Sequence, residues 1–163
     1  MAGAAVSRIT LQYEEGQTVP RPADLKKLAA RVAKGEGLRG GVEIAFCADE
    51  TVRALNKRHR KLDKVTDVLS FEWEEEDFAG EIYIANPQAK RQAPRFNNNY
   101  FNELRRLIVH GMLHLCGYDH MQSGERVRMR ALEDRYLATS AAKGSKKPLK
   151  QPRSTVSRKK PAA

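Results

Sequence analysis

Residues 6–13 (VSRITLQY) alternate polar and apolar side chains, the two-residue period of a half-buried strand. Pro20 and Pro22 then break the chain. ADLKKLAARVAK (23–34) sets Leu25, Leu28, Ala29 and Val32 at helical spacing ahead of Gly35 and Gly37, which predicts a helix and its stop. VEIAFC (42–47) predicts a second strand, and Asp49 stands as an N-cap for a helix over 50–60 that turns Val52 and Leu55 inward. Thr66–Phe71 predicts a third strand, Glu72–Asp77 a solvated acidic loop around Trp73, and Gly80–Ala85 a fourth strand antiparallel to the third. Asn86-Pro87 opens a short helix as a cap followed by Pro at the first helical position, and Pro94 interrupts it. The longest helix is predicted over roughly 97–116, apolar at Phe101, Leu104, Leu107, Ile108 and Leu115. A last helix from Ser123 to near 138 offers Val127, Met129, Leu132, Tyr136 and Leu137 for packing.

This pattern predicts an α+β fold, a small mixed four-stranded sheet packed against several helices, with residues 1–140 as one domain. A chain of 163 residues buries a sufficient core without covalent staples. Cys47 and Cys116 make no disulfide framework and point to a reducing compartment. No apolar run is long enough to span a membrane, and the N-terminus lacks a basic segment followed by a continuous apolar one; the expected location is the cytoplasm.

Charge changes the picture only once it is divided. The net charge is +10, but residues 141–163 hold eight basic side chains and no acid, leaving 22 basic and 20 acidic residues in 1–140. The tail is poor in large apolar groups and is expected to be disordered. It suits either non-specific contact with RNA phosphates or a solubilising role. The body's charge alone does not mark a nucleic-acid binder.

The candidate chemistry sits at the end of the longest helix. His110-Gly-Met-Leu-His-Leu-Cys-Gly-Tyr-Asp-His120 holds three of the four histidines. His110 and His114, four apart, share one helix face. Gly117 supplies the left-handed residue that ends a helix and lets His120 turn back towards them. Three imidazoles with an open fourth position describe a catalytic zinc site at the end of a central helix. Cys116 points about 200° away from His114, which predicts a small buried hydrophobe rather than a ligand. The same histidine spacing belongs to zinc peptidases, which need a Glu after the first His as general base. Here that residue is Gly111.

A second stretch, Leu55-Asn56-Lys-Arg-His-Arg60-Lys-Leu-Asp63-Lys-Val-Thr66-Asp67-Val-Leu-Ser-Phe71, joins Gly80-Glu81-Ile82 and the histidine motif in a pattern that closely resembles the YbeY family of bacterial endoribonucleases over about residues 6–138. The resemblance implies cleavage of single-stranded RNA with one zinc on His110, His114 and His120. It also implies work on the 3′ end of small-subunit rRNA and ribosome quality control, with rRNA and the small subunit as partners. Arg60 falls on the family's functional arginine and His114 on a catalytic histidine. A guanidinium clamps a phosphate in bidentate fashion, although Arg60 would also serve a surface ion pair. Three departures stand out: His59 for an aromatic, Val65 for Pro and Glu81 for Asp. His59 reads as an exposed surface residue, with a phosphate contact or a proton carrier as the alternatives. Asp119 is placed either to orient a ligand imidazole or to cap the turn.

Zinc would polarise the scissile phosphoryl oxygen or activate water, or the RNA's own 2′-hydroxyl would attack. Two other readings stay open: a non-catalytic ribosome-assembly factor with a structural zinc, and a metal-dependent hydrolase of another substrate, peptides included.

Overall fold

The computed structural model describes residues 8–119 and 123–138. Strands β1 (Ile9–Tyr13), β2 (Gly41–Cys47), β3 (Val68–Glu75) and β4 (Phe78–Ala85) form one sheet in the order β1-β2-β4-β3. β2 pairs in parallel with both β1 and β4, and β3 runs antiparallel to β4 at the edge. The helices are α1 (Pro22–Glu36), α2 (Asp49–Arg60), α3 (Asn86–Gln92), α4 (Tyr100–Leu115) and α5 (Ser123–Leu137), with a 3₁₀ turn at Ala93–Phe96. The predicted α+β class and the mixed four-stranded sheet are what the structure shows.

Alternation along the two central strands sorts the helices onto two faces. Val42, Ile44, Phe46, Ile82 and Ile84 are buried beneath α1, α4 and α5 with Leu25, Leu104, Leu107, Ile108 and Met112. Cys47, Leu69 and Ala85 point the other way and meet Val52 of α2, with Phe71 and Tyr83 beside them. Each fully buried aliphatic side chain contributes about 1.5–3 kcal/mol, so α4, with six such residues between Leu104 and Leu115, is the most firmly held helix. Cys116 is buried, as its phase predicts.

Four local expectations are corrected. Glu72–Glu75 belong to β3 rather than a loop, because β4 pairs with them across a register shift and Trp73 packs edge-on against Phe78 at 5.6 Å. Asp49 lies inside α2, whose N-cap is Ala48. There Glu14 does the capping work, accepting from Ala48 N–H and Thr51 Oγ1 at 2.9 Å each, while Asp49 receives Gln88 N–H at 3.1 Å. Helix α4 starts later than predicted because the Asn99 side chain caps it, accepting from Asn102 N–H at 2.8 Å. Val127 is 71% exposed; the inward stripe of α5 is Met129, Leu132 and Tyr136.

Candidate metal centre

His110 and His114 lie half-buried on the last turns of α4, with their rings 4.7 Å apart and nearly perpendicular. Their Nε2 atoms converge to 3.2 Å. Two nitrogens bound 2.0–2.1 Å from one tetrahedral ion stand about 3.3 Å apart, so this pair is spaced for a single zinc. Among the described residues no cluster of three or more His, Cys, Asp or Glu side chains completes such a site. The third predicted ligand, His120, lies outside the described residues, as does the basic tail.

The end of α4 comes at the predicted stop. Gly117 adopts φ 102°, where a side chain would be strained. Its N–H donates to His114 O at 3.0 Å, and Tyr118 N–H reaches Leu113 O at 3.1 Å. Glu36, the last residue of α1, fastens the chain just beyond this stop: it accepts the Tyr118 hydroxyl at 2.8 Å and the Tyr136 hydroxyl at 2.6 Å. Burial, then the Glu36 carboxylate, pushes the Tyr136 hydroxyl well above the usual phenol range. One carboxylate thus ties the segment leaving α4 and the end of α5 to the same point.

Helix α5 also brings a carboxylate to the histidines. Glu133 Oε2 lies 2.5 Å from His110 Nδ1, with the two side chains 15% and 23% exposed. Donation from Nδ1–H to this carboxylate holds the tautomer whose Nε2 lone pair faces His114, the usual arrangement behind a metal-bound imidazole. Glu133 is not among the candidates that the sequence pattern offers for orienting a ligand imidazole; Asp119 is. The signal for Glu133 was its helical phase, one turn after Met129 beside the buried stripe.

Gly111 packs against the sheet. A Cβ there would stand 3.0 Å from Ile82 Cγ2 and 3.2 Å from Ser70 Oγ, and Ser70 donates to Gly111 O at 3.3 Å. The position that carries the general base in zinc peptidases therefore faces β3 and β4, with no room for a carboxylate.

One turn before His110 on the same ridge is Arg106, a second residue that sequence reasoning overlooked. It donates through Nη2 at 2.6 Å and Nε at 3.1 Å to Glu103, which is fully buried and also accepts from Gln92 at 2.7 Å and Asn98 at 3.0 Å. Burial alone would raise the Glu103 carboxyl; the hydrogen bonds from Arg106, Gln92 and Asn98 outweigh it and hold it below the usual range. Asp67 joins this network through Gln92 at 2.9 Å and Arg106 at 3.8 Å.

Arg60 is not brought into contact with either histidine by any described bond. It ends α2 on the opposite face of the sheet and is exposed. The link between them is the edge strand: Ser70 of β3 meets α4, and its neighbour Phe71 meets α2. His59 packs on Phe71 with ring centroids 5.0 Å apart, and Phe71 contacts Tyr83 at 5.9 Å. His59 is thus a half-buried ring in an aromatic cluster rather than an exposed surface residue, and it fills the place the family gives to an aromatic. Val65 is partly buried against the same cluster, and Glu81 accepts the Tyr83 hydroxyl at 2.8 Å.

The fold and site together define a class: a small α+β protein with paired imidazoles at the C-terminal end of a sheet-packed helix and arginines on either side of the edge strand. Residues 12–141 match the family described as endoribonuclease YbeY. The chain is 44% identical to the endoribonuclease YbeY of Aquifex aeolicus, over 70% of this chain and 89% of that one. It is 35% identical to that of Bacteroides fragilis (strain YCH46), over 80% and 96% respectively. The solution structure of a Thermotoga maritima protein superposes with a TM-score of 0.60 at 32% identity, covering 79% of this chain and 86% of that one. The chain belongs to the endoribonuclease YbeY family.

Proposed function

We propose that this protein is a zinc-dependent endoribonuclease that cuts single-stranded RNA, acting in the cytoplasm on the 3′ end of small-subunit rRNA and in ribosome quality control. The observation that carries the reading is the convergence of His110 Nε2 and His114 Nε2 to 3.2 Å, with Glu133 behind His110, in a chain of this family. His110, His114 and His120 would hold the metal. Bound there, zinc supplies a Lewis acid for a phosphoryl oxygen and lowers the pKa of water.

The chain's own residues do the rest. Glu133 keeps the His110 lone pair turned towards His114. The Glu103 carboxylate holds Arg106 on the same helix face, and Arg60 presents a guanidinium across β3. The exposed Arg60 would favour the charge that grows on the phosphoryl oxygens during cleavage, whereas the charge of Arg106 is met by Glu103 and Asp67.

The test combines zinc analysis with cleavage of single-stranded RNA by protein as purified, chelated and zinc-restored. Activity that falls on chelation and returns with one zinc per chain supports the reading; a zinc-loaded chain that cuts no RNA sinks it. Arg60→Ala should keep its zinc and lose about 10²-fold in cleavage rate, the scale of removing one charge-stabilising donor. Unchanged cleavage by that variant would leave Arg60 a surface residue and turn attention to Arg106. Glu133→Gln should bind zinc about 10–100-fold more weakly at unchanged stability, measured by competition with a chromophoric chelator.

A further inference from the structure

On the far side of α4 from the histidines, a cleft of about 430 Å³ opens between α1 and the start of α4. Its lining includes Arg21, Lys27, Arg31, Phe101, Asn102 and Arg105, with Asp24 as its acid. Asp24 is already paired with Arg21 at 2.8 Å, and the Arg21 guanidinium also lies over the Phe101 ring at 4.4 Å. Lys27, Arg31 and Arg105 are left as three positive charges without an acid in the lining.

Arg31 and Arg105 are fixed in place by the end of α5. Arg31 Nη2 donates to Tyr136 O at 2.8 Å and Arg105 Nη2 to Leu137 O at 2.9 Å. A helix C-terminus presents about half a negative charge, too little to balance three cations. Among the described residues, the buried Arg31 Nε has no hydrogen-bond partner. Burial and the charges of Arg31 and Arg21 hold Arg105 below the usual guanidinium range, the sign of like charges crowded together.

We infer that this cleft is a second anion site that takes a phosphate group of the RNA strand, distinct from the histidine centre. Rigid guanidinium forks match the oxygens of a tetrahedral phosphate, and the buried Arg31 Nε–H and the Asn102 amide add donors. Arg105 precedes His110 by five residues, about 7.5 Å along the axis and about 140° round it. A strand that occupies both sites must wrap α4, so the cleft serves RNA longer than the few nucleotides around the cut. The inference rests on the RNA substrate of the proposed function and not on its metal.

The test measures binding of labelled single-stranded RNA to the full chain in chelator, across a range of salt, with Lys27→Gln and the near-isosteric Asn102→Asp. Lys27 is exposed, so its replacement leaves folding intact, which thermal melting checks. Both variants should bind a long strand several-fold more weakly, with the slope of log affinity against log salt shallower by about 0.7 for each lost phosphate contact. Binding of a trinucleotide should not change. Variants that match wild type in affinity and slope overturn the inference. So does RNA binding that both variants leave unchanged while their binding of polyglutamate weakens, which would assign the cleft to an acidic polypeptide. A wild type that binds no RNA counts instead against the proposed function itself.

Discussion

On the proposed zinc centre, His114→Ala is expected to bind no zinc and to lose at least about 10³-fold in RNA cleavage, while retaining the fold. Metal stabilisation of a phosphoryl transition state amounts to several kcal/mol, and each 1.36 kcal/mol is tenfold in rate. The fold should persist because His114 is only half-buried at the last turn of α4, whereas the helix is anchored by fully buried residues such as Leu104, Ile108, Met112 and Leu115. Zinc content, far-UV circular dichroism and RNA cleavage on one preparation separate the outcomes. A variant that keeps full cleavage would show that the imidazole pair does no chemistry. A variant that loses zinc and unfolds would make the metal a structural staple, as in a non-catalytic assembly factor.

Gly111→Glu, which would complete a peptidase-type motif, is expected to fail to fold rather than to gain a protease activity. Even the Cβ would press on Ile82 at 3.0 Å. Overpacking of this kind costs about 1–3 kcal/mol, and an unpaired buried carboxylate adds several more. The sum is a large part of the roughly 5–15 kcal/mol typical of a whole domain. Gly111→Ala is the control: its better helix propensity, about 1 kcal/mol, partly offsets the contact with Ile82, and it should fold. Urea unfolding of both variants, with a casein assay on any folded Gly111→Glu, checks the pair. A stable, soluble Gly111→Glu would mean that α4 does not lie as close to the sheet as described.

Much of the fold was legible because its signals are local. Leu25, Leu28, Ala29 and Val32 mark the buried face of α1, and all four are buried. The Gly117 stop needed only a residue that tolerates φ 102°. Errors arose where a distant partner decided. The acids of Glu72–Glu75 read as loop, yet β4 supplies their pairing. His59 read as surface, yet Phe71, twelve residues on, gives its ring a place to pack.

The site divides in the same way. By itself the sequence determined that two imidazoles share one helix face, that the helix ends at Gly117 and that no base comes directly after His110, since each depends on spacing along one element. Only the tertiary structure decided that Glu133 stands behind His110, that Gln92 of α3 reaches the buried Glu103 and that Gly111 is pressed on Ile82. Those relations depend on how separate elements pack, and chain spacing carries no record of which side chains meet once the sheet and helices come together.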